Sequence, residues 1–147
     1  MVEIHKAELK ESKIAAELFL QMWDDNDIVK LHEEIEEYII SDECEVFIAY
    51  DKELPIAVAQ CGLRKDYVEG TDSSPVGYLE GIFVEEAYRK QNIAKLLCKE
   101  CENWAKEQGC KEFASDCELD NENSLEFHLG IGFTEANRII CFTKKLA

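Results

Sequence analysis

The chain holds little of what breaks or joins structure. Only two prolines and seven glycines occur among 147 residues, with no Ser/Gly/Pro-rich stretch and no internal repeat. A linker between domains and a repeat architecture are thereby excluded. Long apolar runs are missing too, none nearing the roughly 18 residues of a membrane-spanning helix. The segment Met1 to Lys6 lacks the basic-then-apolar layout of a secretory signal. Basic residues are scarce: 16 Lys and Arg stand against 32 Asp and Glu, for a net charge of −16. Sequence-independent nucleic-acid binding, which runs on cationic contacts to phosphate, is excluded on that balance. Adsorption to an anionic membrane is excluded in the same way. The same field would attract a cationic small molecule or a basic protein, or serve only as a solvated acidic surface.

What is present describes a folded domain. Hydrophobic residues make up 46% of the chain, enough for a core, and the length fits one domain over residues 1–147. Cysteines number seven, an odd count, mostly among apolar neighbours as in Val58-Ala59-Gln60-Cys61 and Ile139-Ile140-Cys141-Phe142. Such thiols behave as small hydrophobes in a reducing compartment, so a cytoplasmic location is expected. Alternation predicts a first strand over Val2 to Ala7, and helical spacing follows over Ser12 to Trp23 and Val29 to Ile40. Glu45 to Tyr50 and Ile56 to Leu63 predict a hairpin about Asp51-Lys52. After the polar loop Gly70 to Pro75 come a strand over Val76 to Val84 and a long helix from Asn92 to Gln108, closed at Gly109. A short strand at Lys111 to Ser115, a helix at Asn121 to Leu129 and a last strand at Arg138 to Lys145 complete the order. That order is α/β, with helices packed on a mixed sheet.

The richest stretch runs from Tyr78 to Ala94, a strand, a turn holding Arg89 and Lys90, and a helix N-terminus. Unpaired backbone amides and the positive helix end at such a turn suit a pyrophosphate, although an ordinary connecting loop has the same outline. Arg89, Lys90, Gln91, Asn92, Ile93 and Ala94 resemble the Q/R-x-x-G-x-G/A acyl-CoA signature of the GNAT N-acetyltransferase superfamily. Asn92 replaces the first glycine, and Asn is the residue after Gly best suited to positive φ. Farther on, His128-Leu129-Gly130-Ile131-Gly132-Phe133 resembles the Y-x-x-x-G-F run of that superfamily, with His128 in the place of the tyrosine that donates a proton to the leaving thiolate. The resemblance implies the GNAT fold, acetyl-CoA as co-substrate and a homodimer. It also implies parallel strands before and after the long helix that splay to admit the pantetheine arm.

A narrower resemblance is to bacterial aminoglycoside 6′-N-acetyltransferases. Met22-Trp23, Tyr67-Val68-Glu69-Gly70-Thr71, Ser74 to Ile82 and Glu112 to Asp116 carry it, with Leu119-Asp120-Asn121. It implies that Trp23, Tyr67, Glu80 and Asp116 line the acceptor pocket and that Asn121 holds the pantetheine arm. Asn137 departs from the glutamate often found there. Acetyl transfer to an amine requires loss of an ammonium proton, which a carboxylate can accept directly or through water. Glu80 is placed for this just before the cofactor loop, with Asp116 as the other candidate. Without the resemblance, Glu80 reads first as a solvent-facing strand residue and Trp23 as core. Backbone amides at Ile82, Phe83 and Val84 offer an oxyanion site.

Cys98 and Cys101 form a C-x-x-C within a helix, without a second pair at zinc spacing, so core packing explains them and no metal is expected. His128 reads either as a proton donor or as an aromatic filler. Two rival functions remain: acetylation of another polycation, such as a polyamine or basic peptide, and non-catalytic binding of acyl-CoA.

Overall fold

A computed structural model describes residues 2–147. Its sheet has five strands in sequence order: β1 (Val2–Lys6), β2 (Cys44–Asp51), β3 (Leu54–Arg64), β4 (Val76–Val84) and β5 (Phe113–Ala114). Neighbours are antiparallel except β4 and β5, which are parallel. Helices α1 (Ser12–Leu20) and α2 (Ile28–Ile40) cover one face. Helix α3 (Ile93–Glu107) covers the other, where Phe127 of α4 (Glu122–Gly130) also packs. The expected α/β class with helices on both faces is the observed one.

The central strand explains the layering. β3 is buried along Ile56–Gly62, as a strand covered on both faces must be. Its alternation sends Ala57, Ala59 and Cys61 toward Leu97, Cys98, Cys101 and Trp104 of α3. Val58 faces Phe19, Leu31 and Ile35 of α1 and α2. Cys98 and Cys101 therefore lie on the buried stripe of α3, and burial pushes the Cys98 thiol up to about 12, far from reactive. The C-terminus of α3 closes as a Schellman motif: Gly109 has φ +90, its amide bonds Lys106 O, and the Cys110 amide reaches back to Ala105 O.

Three expectations change. Helix α1 ends at Leu20 rather than Trp23, because Asn26 turns the chain back with its amide and side chain both on Trp23 O. Trp23 thus sits in the turn, stacked on Phe19 with centroids 4.7 Å apart. The strand expected at Arg138 to Lys145 does not form. Residues 133–147 carry no helix or strand, and Ile139, Ile140 and Phe142 are exposed. Strand propensity needs a partner ladder, and here the chain leaves the sheet along the β3–β4 loop. There Asn137 donates to Glu69 at 2.8 Å. β5 is likewise shorter than Lys111 to Ser115, pairing with β4 only at Gly77–Phe113 and Tyr78–Ala114.

Candidate active site

The acceptor side is built by an irregularity in β4. Gln60 pairs with Gly81 but Cys61 pairs with Leu79, so Glu80 is an extra, bulged residue. A bulge re-aims side chains, and here it presents Glu80 beside Gly81. The Trp23 ring lies over Gly81 so closely that a Cβ there would meet Cη2 at 2.7 Å. Only glycine leaves room for the indole.

Glu80 is not free. Arg64, the last residue of β3, grips it with Nη2 at 2.8 and 3.1 Å and Nε at 3.2 Å. The same guanidinium lies over the Tyr78 ring, Cζ 3.5 Å from its centroid. Tyr78 in turn donates its hydroxyl to Asp116, just past β5. Burial, then the hydrogen bond and charge of Asp116, hold the Tyr78 phenol well above its ordinary range, so it is a neutral donor. Burial works against the charge on Arg64, but the hydrogen bond and charge of Glu80 raise its pKa. Glu80, Arg64, Tyr78 and Asp116 thus form one connected chain across β3, β4 and the end of β5. Tyr67 stands apart on the β3–β4 loop, its ring 75% exposed and its Oη accepting from the Gly70 amide at 3.3 Å.

The cofactor side is built from backbone. The bulge changes which amides face the gap beyond β5. Gly77 N bonds Glu112 O on the β5 side, and Leu79 O accepts from Ser115 Oγ on that side at 3.2 Å. Past the bulge, Glu85 N bonds Ile56 O on the β3 side. Alternation then turns Phe83 toward β3 and leaves Ile82 and Val84 facing the opening, where β5 has ended. Of the three residues expected to offer amides, Ile82 and Val84 turn theirs away from β3. Phe83 spends its amide toward β3 and its ring in the α1–α2 core.

The loop beyond confirms the backbone reading of its sequence. Asn92 has φ 64 and Lys90 φ 62, both left-handed, and Ile93 opens α3 as a buried anchor. No side chain caps α3 at Asn92, and the first turn of any helix leaves its amides without intrahelical partners. These amides, with the helix dipole and the exposed Arg89 and Lys90, fit a pyrophosphate. Arg89 Nε donates to Val84 O at 2.9 Å, tying the loop to the strand, and Gln91 Nε2 reaches Ala87 O at 3.4 Å. Ala94 follows within the first turn of α3. Asn121 caps α4, its Oδ1 accepting from Ser124 N at 3.1 Å, which leaves its side-chain NH₂ to face outward contacts. His128 is held at both nitrogens, Nδ1 donating to Ser124 O at 2.7 Å and Nε2 at 2.9 Å from Ser115 Oγ. It also packs against Phe127 and Phe133.

A parallel pair that ends after two residues, a left-handed turn opening a helix, and linked carboxylates on the strands beside it have the outline of an acyl-CoA-dependent N-acetyltransferase fold. The acetyltransferase (GNAT) family matches over residues 12–133, and the chain belongs to that family. Curated relatives in it are described as aminoglycoside N(6′)-acetyltransferases. Aminoglycoside N(6′)-acetyltransferase type 1 of Acinetobacter haemolyticus is 38% identical over 88% of this chain and 89% of that protein. The protein of the same description from Acinetobacter baumannii is 39% identical over 94% and 96%. A solved aminoglycoside 6′-N-acetyltransferase holding the bisubstrate analogue CoA-S-monomethyl-acetylneamine superposes with TM-score 0.95 at 33% identity, covering 99% of both chains.

The structure links Glu80 to Asp116 through Arg64 and Tyr78, seats Trp23 against the neighbouring Gly81, and sets Tyr67 on the β3–β4 loop and Arg89–Ala94 at the start of α3. Sequence reasoning missed Arg64 and Tyr78. Arg64 had a signal, since a basic residue ending an apolar strand within a strongly acidic chain asks for a partner.

Proposed function

We propose that this chain, as one domain over residues 1–147, transfers the acetyl group of acetyl-CoA to the 6′-amine of an aminoglycoside, by direct attack with both substrates bound. The observation that carries the reading is the gap past Tyr78–Ala114, with the Ile82 and Val84 amides on one side and the Glu80–Asp116 cluster at its mouth. Acetyl-CoA supplies the acetyl group as a thioester. Amides around Lys90 to Ala94, with Arg89, hold the pyrophosphate end, and Asn121 the pantetheine arm. Ile82 and Val84 donate to the carbonyl oxygen as negative charge gathers on it. Trp23 and Tyr67 wall the sugar ring. Asp116 accepts the ammonium proton, directly or through water, while Glu80 orients the acceptor. His128, pinned by Ser124, reaches the gap only through Ser115, and its first duty is to bind α4 to β5. Seven free thiols fit a cytoplasmic location, and the charge of −16 draws in a polycation.

We further propose that the protein works as a homodimer. The arm after Asn137 exposes Ile139, Ile140, Phe142 and Leu146, a strand-forming apolar run that a second copy would cover. Sedimentation should report a dimer, and removal of residues 138–147 a monomer.

Thiol release from acetyl-CoA tests the activity. Turnover is expected with kanamycin and absent with aminoglycosides lacking a 6′-amine. Faster turnover of spermidine than of kanamycin would assign the polycation alternative. No thiol release with any amine would leave only acyl-CoA binding.

A further inference from the structure

Arg64 places a cation inside a cleft built to receive cations. It extends from the end of β3, in register with Val76 at the start of β4, and it is fixed twice over. Its fork engages both Glu80 oxygens, and its flat face lies 3.5 Å from the Tyr78 centroid. Arginine suits this double contact, since a lysine ammonium can neither fork nor stack in the same way. Glu80 is thereby charge-balanced with both oxygens in use. Asp116 is hydrogen-bonded by the neutral phenol of Tyr78 and feels the Arg64 charge without being gripped by its fork. Two carboxylates that the sequence presents alike become chemically unlike.

We propose that Arg64 is a positioning residue that divides the labour of the acceptor site: it locks Glu80 as an orienting anchor and leaves Asp116, which its fork does not grip, as the carboxylate that receives the acceptor's ammonium group. The proposal rests on the acetyl-transfer reading above. Without Arg64, Glu80 is a loose second carboxylate that competes for the ammonium group and binds it out of line. Ground-state binding is then kept or improved while the productive arrangement becomes rare. The signature is a fall in kcat without a rise in KM.

The pair also predicts an effect that reverses with background. Glu80→Gln removes the counter-charge and leaves the Arg64 cation facing a polycationic acceptor. Removing Arg64 in that background lifts the repulsion. Residues that act through each other are non-additive in this way, whereas independent ones simply add.

The test uses the full chain, with steady-state thiol release from acetyl-CoA and kanamycin as acceptor. Arg64→Gln is expected to lower kcat about tenfold, the scale of one charge-assisted contact, with acceptor KM unchanged or lower. Arg64→Lys keeps the charge but not the fork and should recover part of kcat. Glu80→Gln should raise acceptor KM about tenfold, and Arg64→Gln/Glu80→Gln should bring KM back at least about threefold. A raised KM with intact kcat in Arg64→Gln would make Arg64 a direct substrate contact and overturn the proposal. So would a double variant whose KM equals or exceeds that of Glu80→Gln. If Arg64→Gln unfolds, the Lys variant decides, since wild-type kcat there would show that the fork is unnecessary. Failure of the acetyl-transfer reading itself would appear earlier, as wild-type protein that releases no thiol.

Discussion

The proposed acceptor region around Glu80 lies mid-strand on β4, the proposed cofactor loop follows the end of that strand, and the two are made of different material. Around Glu80 the site is a chain of side chains, each held by the next: Arg64 on Glu80, Arg64 on Tyr78, Tyr78 on Asp116. From Ile82 to Ala94 the site is mostly main chain, with amides released by the bulge and by the left-handed Lys90 and Asn92. A side-chain site depends on which residues are present and tolerates little exchange. A main-chain site depends on φ and ψ, and tolerates any residue that can adopt them. Loss of the bulge would damage both, because it aims Glu80 and selects the amides at once.

The largest effect should come from the side-chain end. Asp116→Asn keeps the shape and an acceptor oxygen for Tyr78 but removes the proton acceptor. General-base assistance contributes about 10²–10⁴-fold, so kcat should fall by that order near neutral pH, and the deficit should shrink as the amine deprotonates unaided at higher pH. A near-normal kcat would move the base elsewhere. At the main-chain end, Arg89→Ala should weaken acetyl-CoA binding by about tenfold, the scale of a charge-assisted hydrogen bond. Equilibrium titration with coenzyme A measures it, and unchanged affinity would place the pyrophosphate away from this loop.

Gly81→Ala tests the wall of the cleft. The added Cβ would press on Trp23 Cζ2 at 2.9 Å and Phe19 Cε1 at 3.2 Å as well as on Cη2. Moving the indole should raise acceptor KM several-fold, within the about 1–3 kcal/mol that overpacking costs, and leave the KM for acetyl-CoA untouched. Asn92 gives the matching test of the loop. Asn92→Gly should bind coenzyme A as well or slightly better, and Asn92→Val about three- to tenfold less well, since a left-handed conformation costs a branched residue roughly 1–2 kcal/mol. Equal binding by both would mean that the left-handed turn is not needed.

The same contrast explains what could be read in advance. β4 was legible to the residue, because an apolar run bounded by Pro75 and a polar turn has one reading. The left-handed Asn92 was legible because so few residues accept positive φ. Glu80 stood out in the sequence as a candidate, but its ion pair was not legible there. Arg64 lies 16 residues away, and pairing across an antiparallel register with a bulge is not encoded in local pattern. The arm from Arg138 failed for a related reason. Alternation reports a preference for extended chain, whereas a strand exists only where another strand meets it.

A third cluster, remote from both regions, gives the smallest effect and a control. Glu11 is buried at the start of α1, where its carboxylate accepts from the Glu8 amide at 2.9 Å, Tyr50 Oη at 2.6 Å and His5 Nε2 at 3.0 Å. Burial alone would raise its pKa, but these hydrogen bonds and the His5 charge together bring it below the ordinary carboxylate value. A depressed folded-state pKa stabilises the protein above the unfolded-state value, and that contribution disappears as pH falls through the folded-state value. Stability should therefore decline on acidification below the ordinary carboxylate range. Glu11→Gln cannot titrate, so its stability should start lower at neutral pH and flatten through the same acid window. Urea denaturation at a series of pH values measures both curves, and the difference between them should narrow as pH falls. Kinetic constants for acceptor and acetyl-CoA at neutral pH should match wild type, because Glu11 staples β1, α1 and β2 and touches neither site. A parallel pair of stability curves would show that the carboxylate keeps the same pKa folded and unfolded, and that its three hydrogen bonds do not favour the ionised form.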